Sequence, residues 1–197
     1  DILEVFSIYG QANSSSVELT RFLIEFSTDD IQADRDLGTI PASGDVEFYL
    51  KLYNAKHPFT LPSQYELNVL AISASWQEGI GLDMEEYKDV TYNQLGSNWI
   101  KRSGSTSWAS QGGDYHASPI YSTSFPVGNE DLEVNVTSLV EEWLAGTKNN
   151  YGFGIKLSDA LETTELSYYT KKFFGRGTGD WFRRPVVEAR WDSRIND

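Results

Sequence analysis

The sequence predicts an all-β protein: an antiparallel β-sandwich, jelly-roll-like, with one short capping helix near residues 138–145. Three observations carry this. Apolar and polar residues alternate with period two in several short segments, and Gly, Pro, Ser and Asn divide those segments from one another. A helical spacing of apolar residues occurs in one place. Sheets with one face on a core and the other in water are written this way. A chain of 197 residues suits a single sandwich domain over 1–197 and can bury a core without a covalent or metal staple.

In chain order, Phe22, Ile24 and Phe26 alternate with Arg21, Leu23 and Glu25. Over 45–53, Val46, Phe48, Leu50 and Leu52 face one way, against Glu47, Tyr49, Lys51 and Tyr53. Tyr65, Leu67, Val69 and Ala71 share a side, as do Leu132, Val134 and Val136, and then Phe153, Ile155 and Leu157. The runs at 168–174 and 185–191 are short, β-branched or aromatic, and read as closing strands. Ser138-x-x-Glu141 has the form of a capping box. Leu139 with Trp143 and Val140 with Leu144 would form the buried face, Glu141 and Glu142 would be solvated, and Gly146 would stop the helix. Between 74 and 130 the periodicity fades, glycines recur and aromatics persist, which reads as a long loop-rich segment.

Composition removes whole classes of function. The absence of Cys excludes disulfides, thiol nucleophiles and thiolate metal sites. His57 and His116 are too few for an imidazole metal centre. A net charge of −13 argues against nucleic-acid binding, and no apolar run is long enough to span a membrane as a helix. The first residues, Asp1 to Phe6, resemble neither a secretion signal nor an intact start, so the chain reads as processed or truncated. No Gly-x-Ser-x-Gly elbow is present, and neither His has a partner by spacing, so a non-enzymatic role without cofactor is expected. Gly175-x-Gly177-x-Gly179 runs into Trp181–Pro185 rather than a helix, which does not suit a nucleotide loop.

Charge and aromatics give the candidate sites. Residues 168–197 carry seven basic and four acidic side chains on an otherwise acidic body. That strip could hold an anion through Lys171, Lys172 and Arg176, or neutralise neighbouring strands. Trp76, Trp99, Trp108 and Tyr115 offer flat faces with polar edges, suited to a sugar platform or to packing beneath the loops. Asp83, Glu85, Glu86 and Asp89 supply oxygens a hard cation could use, but their spacing departs from the calcium-loop pattern, and a solvated surface is the other reading.

An ordered set of motifs then stands out: Trp76-Gln77-Glu78-Gly79, Gly112-Gly113-Asp114-Tyr115, Val136-Thr137-Ser138-Leu139-Val140-Glu141-Glu142-Trp143-x-x-Gly146 and Asn149-Asn150-Tyr151-Gly152-Phe153, closing on Arg184-Pro185. This order resembles the DNRLRE-type β-sandwich domain, some members of which are carbohydrate-binding modules for alginate. The Arg-Glu motif that names the family is replaced here by Tyr169-Thr170-Lys171-Lys172-Phe173-Phe174. The Leu82–Asp89 stretch and the ending from Phe173 to Asp192 are similar to versions in structural proteins of marine tailed phages. The resemblance implies a virion component, such as a head decoration, neck or tail accessory protein. Such a protein would contact other virion proteins and itself, with a possible adhesion surface for host or environmental polysaccharide. The alternative it implies is an extracellular carbohydrate-binding module for an acidic polysaccharide such as alginate.

Overall fold

A computed structural model describes residues 2–57, 61–79, 84–85, 88–89 and 96–193. The strands run β1 (Ile2–Tyr9), β2 (Val17–Thr20), β3 (Phe22–Ile24), β4 (Glu47–Leu52), β5 (Tyr65–Ile72), β6 (Met84–Glu85), β7 (Lys88–Asp89), β8 (Lys101–Ser103), β9 (Thr106–Ser107), β10 (Tyr115–Phe125), β11 (Leu132–Asn135), β12 (Phe153–Leu157), β13 (Tyr168–Phe174) and β14 (Val186–Arg190). Three short helices join them: α1 (Asp29–Asp36), α2 (Thr137–Leu144) and α3 (Asp159–Glu162). All the pairings are antiparallel, as the alternation requires.

One layer has the order β10-β5-β12-β3. The other is assembled from β13-β1-β2 and β11-β4-β14. These two groups are joined where the chain beyond β4 bridges β13: Asn54 pairs with Phe173, and the Ala55 N–H donates to the Lys172 carbonyl at 2.9 Å. β14 then continues beside residues 47–51 of β4, so β13 and β14 follow the same neighbour in turn. The excursion between them carries a 3-10 turn at Trp181–Arg183.

The core lies between the layers. Phe48, Leu50 and Leu52 of β4 are fully buried while Glu47 points outward, as alternation predicts. Central strands depart from alternation because both of their faces are covered. Thus Leu70 and Ile72 of β5 are buried along with Tyr65, Leu67, Val69 and Ala71, and every residue of β12 is buried. Phe125 stacks on Tyr65 at 5.3 Å and meets Phe173 edge-on, and Phe22 also packs edge-on to Phe173. These rings span the layers and bind β3, β10 and β13 into one hydrophobic unit.

Three expectations are corrected. The segment at 74–130 is not only loop: β10 is an eleven-residue strand at the edge of its sheet, paired with β5. Its polar outer residues and the register break between Tyr115 and Ile120, where Pro119 falls, conceal it in the sequence. The capping box does not form. Val136 occupies the cap position without a side-chain bond; the Asn135 carboxamide oxygen accepts the Thr137 N–H at 3.0 Å instead. Glu141 is not a solvated helix residue either, because Arg35 of α1 binds both its oxygens, at 2.7 and 2.9 Å. The buried face of α2 is as expected, with Leu139, Val140 and Trp143 inside and Gly146 in the left-handed conformation at its end.

Candidate functional site

A cleft of about 540 Å³ opens where the end of β3, the start of α1, the segment after β5 and the turn before β12 converge. Leu3, Ile24 and Trp76 are among its apolar lining. Glu25, Asp29, Glu78, Asn150 and Arg176 supply its polar groups. The Trp76 indole N–H donates to the Tyr151 carbonyl at 2.8 Å, which fixes the plane of the ring. Asn150 is held just as firmly: its amide donates to the Phe26 carbonyl at 2.7 Å, and its oxygen accepts the Gly152 N–H.

The backbone that carries Trp76 is clamped from two sides. Ser73 N–H donates to the Asp114 carbonyl, and Gln77 N–H to the Arg102 carbonyl, each at 2.9 Å. Arg102 also donates to the Ser75 carbonyl at 2.6 Å. Ile72 N–H donates to the Gly152 carbonyl. Gly152 has φ of 79°, and a Cβ there would lie 2.2 Å from the Ile24 carbonyl oxygen, so only glycine allows this turn to approach β3. The Trp76, Gly112-Gly113-Asp114 and Asn149-to-Gly152 motifs, far apart in sequence, therefore meet as the frame of one site.

Beneath that frame lies a second ionic joint. Arg21 donates to both oxygens of Glu162, at 2.9 and 2.6 Å, and to the Gly112 carbonyl at 3.0 Å. Its guanidinium lies 4.9 Å from the centre of the Trp99 ring. Burial works against the Arg21 charge, but Glu162 outweighs it and holds the guanidinium pKa above its usual value. This joint ties the 96–115 segment to α3 and the sheet edge.

Electrostatics in the cleft are acidic. Burial, aided by the neighbouring charge of Glu78, raises the pKa of Glu25 above the ordinary carboxylate value. Arg176 pairs with Glu78 at 3.0 Å yet remains 78% exposed, a cation at the rim rather than the base.

The sequence candidates are thus separated by the fold. Trp76 and Arg176 line the cleft. Trp99 is engaged by Arg21, and Tyr115 turns inward, its hydroxyl donating to the Gly112 carbonyl at 2.7 Å and its ring lying against Gly154. Trp108 is 7% exposed, with its N–H on the Asn98 carbonyl at 2.9 Å, so it packs beneath the loop rather than forming a platform. Lys172 lies 3.5 Å from Glu4. Lys171 cannot serve a surface ligand: it is 1% exposed, because β13 directs its side chain into the core.

The basic C-terminal strip is largely neutralised. Arg190 forms a bidentate pair with Glu133, at 2.9 Å twice, and also binds Glu188, which Lys51 reaches at 2.8 Å. Arg184 lies over the Trp181 ring and Arg183 pairs with Asp180. Among the proposed cation ligands, Asp83 and Glu86 lie outside the described residues. Glu85 and Asp89 belong to the β6–β7 hairpin, where only the backbone is described. Among the described residues, no group of three or more His, Asp or Glu side chains could hold a metal ion.

Glu25, Glu78 and Asn150 were not singled out by the sequence, since each is an isolated polar residue until the fold joins them. The available signal was their position in or beside the motif segments. Compared with protein-family models, curated proteins and solved structures, the chain shows no match.

Proposed function

We propose that the protein is a non-enzymatic structural component of a tailed-phage virion whose sandwich carries a carbohydrate-adhesion cleft. The observation that carries the adhesion reading is the immobilised Trp76 ring beside Glu25, Glu78 and Asn150. An aromatic face stacks on the apolar side of a sugar ring, while carboxylates and a carboxamide accept and donate hydrogen bonds to its hydroxyls. Because the ring and the amide are already fixed, little ordering entropy is lost on binding. The acidic lining favours a neutral or amine-bearing sugar over a polyuronate, which Glu25, Asp29 and Glu78 would repel.

The virion reading rests on the motif order and its resemblance to phage structural proteins. Support comes from the tip between β13 and β14, where Trp181 and Phe182 are 68% and 86% exposed and are followed by Arg183 and Arg184. Trp and Arg are the side chains most often decisive in protein contacts. Mass spectrometry of purified particles tests this reading: the chain should be present at a fixed copy number. Its absence from particles, with the chain free in the medium, would favour the second reading. That reading, an extracellular carbohydrate-binding module, rests on the same cleft, whose acidic lining speaks against the acidic polysaccharide, such as alginate, that the resemblance implies.

A further inference from the structure

We propose that Lys171 and Asn54 condense to an intramolecular isopeptide bond, a covalent cross-link between β13 and the chain leaving β4. Lys171 Nζ packs against the edge-on pair of rings Phe125 and Phe173, 4.8 and 5.1 Å from their centres. Its three hydrogen-bond partners are neutral oxygens: Asn54 Oδ1 at 2.8 Å, the Gly128 carbonyl at 3.0 Å and the Glu130 carbonyl at 2.6 Å. It takes part in none of the ion pairs among the described residues. A buried ammonium without a paired carboxylate is costly, and its conversion to a neutral amide removes that cost permanently.

The reactants are also aligned by the strand register. Asn54 pairs with Phe173, and Lys171 stands two residues earlier on the same strand, so the two side chains share a face. The amine therefore donates to the oxygen bonded to the electrophilic Cγ, with the Phe125 and Phe173 rings packed around it. Burial pushes the Lys171 pKa down to about 8 despite the charges of Glu130 and Asp131, so a usable fraction of free amine exists near neutrality. The Asp131 carboxylate accepts the Asn54 backbone N–H at 2.7 Å, which fixes the chain that carries the carboxamide.

The step balances without a co-reactant. The lysine ammonium gives up a proton, and its lone pair attacks Asn54 Cγ. The attacking nitrogen passes a second proton to Nδ2 as the Cγ–Nδ2 bond breaks, so the carboxamide nitrogen leaves as ammonia, which takes up the first proton as ammonium. The product amide can keep one N–H on the Glu130 carbonyl. The cross-link would join residues 117 apart in sequence, a restraint suited to a protein that bears load in an assembly.

Intact-mass measurement and peptide mapping of the native chain test this. The expected result is a mass lower by one ammonia and a branched peptide joining the segments that contain Asn54 and Lys171. A chain at full mass, or a deficit mapping elsewhere, overturns the proposal. Asn54→Asp provides a variant that does not remove the reacting carbon: it should lose water instead and reach the same cross-linked mass as the wild type. Lys171→Arg should retain its full mass. A branched peptide missing from both the wild type and Asn54→Asp would refute the bond however well either folds.

Discussion

Replacing Glu162 by alanine tests whether the Arg21 joint holds the loop frame on the sandwich. The substitution removes two charge-assisted hydrogen bonds from Arg21 and the nearby carboxylate, 3.7 Å away, from Lys156. The guanidinium would remain mostly buried, with the Gly112 carbonyl and the Trp99 and Tyr115 side chains as partners but no carboxylate. Removing one member of a buried pair costs about 3–5 kcal/mol. The pair is not fully enclosed, so the low end applies, about 3 kcal/mol, or a fall in melting temperature of roughly 6–12 °C for a domain of this size. Urea unfolding followed by tryptophan fluorescence measures it, and Trp99 should report the local loss. A double variant, Arg21→Met with Glu162→Met, should regain most of the stability, because it removes both charges together. A cost below about 1 kcal/mol for Glu162→Ala, or a double variant no better than the worse single one, would mean that the joint does not hold the frame.

The backbone and the surface ion network allow further tests. Gly152→Ala should cost upward of about 2 kcal/mol in chemical unfolding, since its Cβ would collide with the Ile24 carbonyl. Gly146→Ala, with a similar φ but open space around it, should cost only about 1 kcal/mol by the same assay. Arg190 and Lys51 hold the Glu188 pKa at about 2, below its ordinary 4.5. A depressed carboxylate stabilises the fold above the unfolded value, and that stability is lost as pH falls from about 4.5 through about 2. Solvent screening reduces this to about 1 kcal/mol, and Glu188→Gln should flatten the acid limb of the stability curve by that amount.

Much of the sandwich was legible because alternation reports burial directly where a strand has one wet face. Residues 45–53 show this best. The same rule conceals elements with unusual surroundings. α1 has no buried residue and no apolar stripe, and is anchored by Arg35 reaching Glu141, 106 positions away. That pairing also diverts Glu141 from the capping role its spacing suggests. Trp76 was legible as a candidate by residue type, whereas Trp108 and Tyr115 have the same chemistry and pack inward. Lys171 looked like a surface cation because charged residues usually are. Nothing local distinguishes a lysine directed against two phenylalanines from one directed into water.

The proposed role of the Trp76 cleft is to bind carbohydrate without transforming it. Calorimetric titration of the wild type and Trp76→Ala against neutral and amino oligosaccharides, with the mixtures assayed for new reducing ends, tests it most directly. The expected result is saturable binding to the wild type, at least tenfold weaker binding to the variant with its fold intact, and no new reducing ends. Absence of binding, equal binding by the variant, or release of shortened sugars would contradict it.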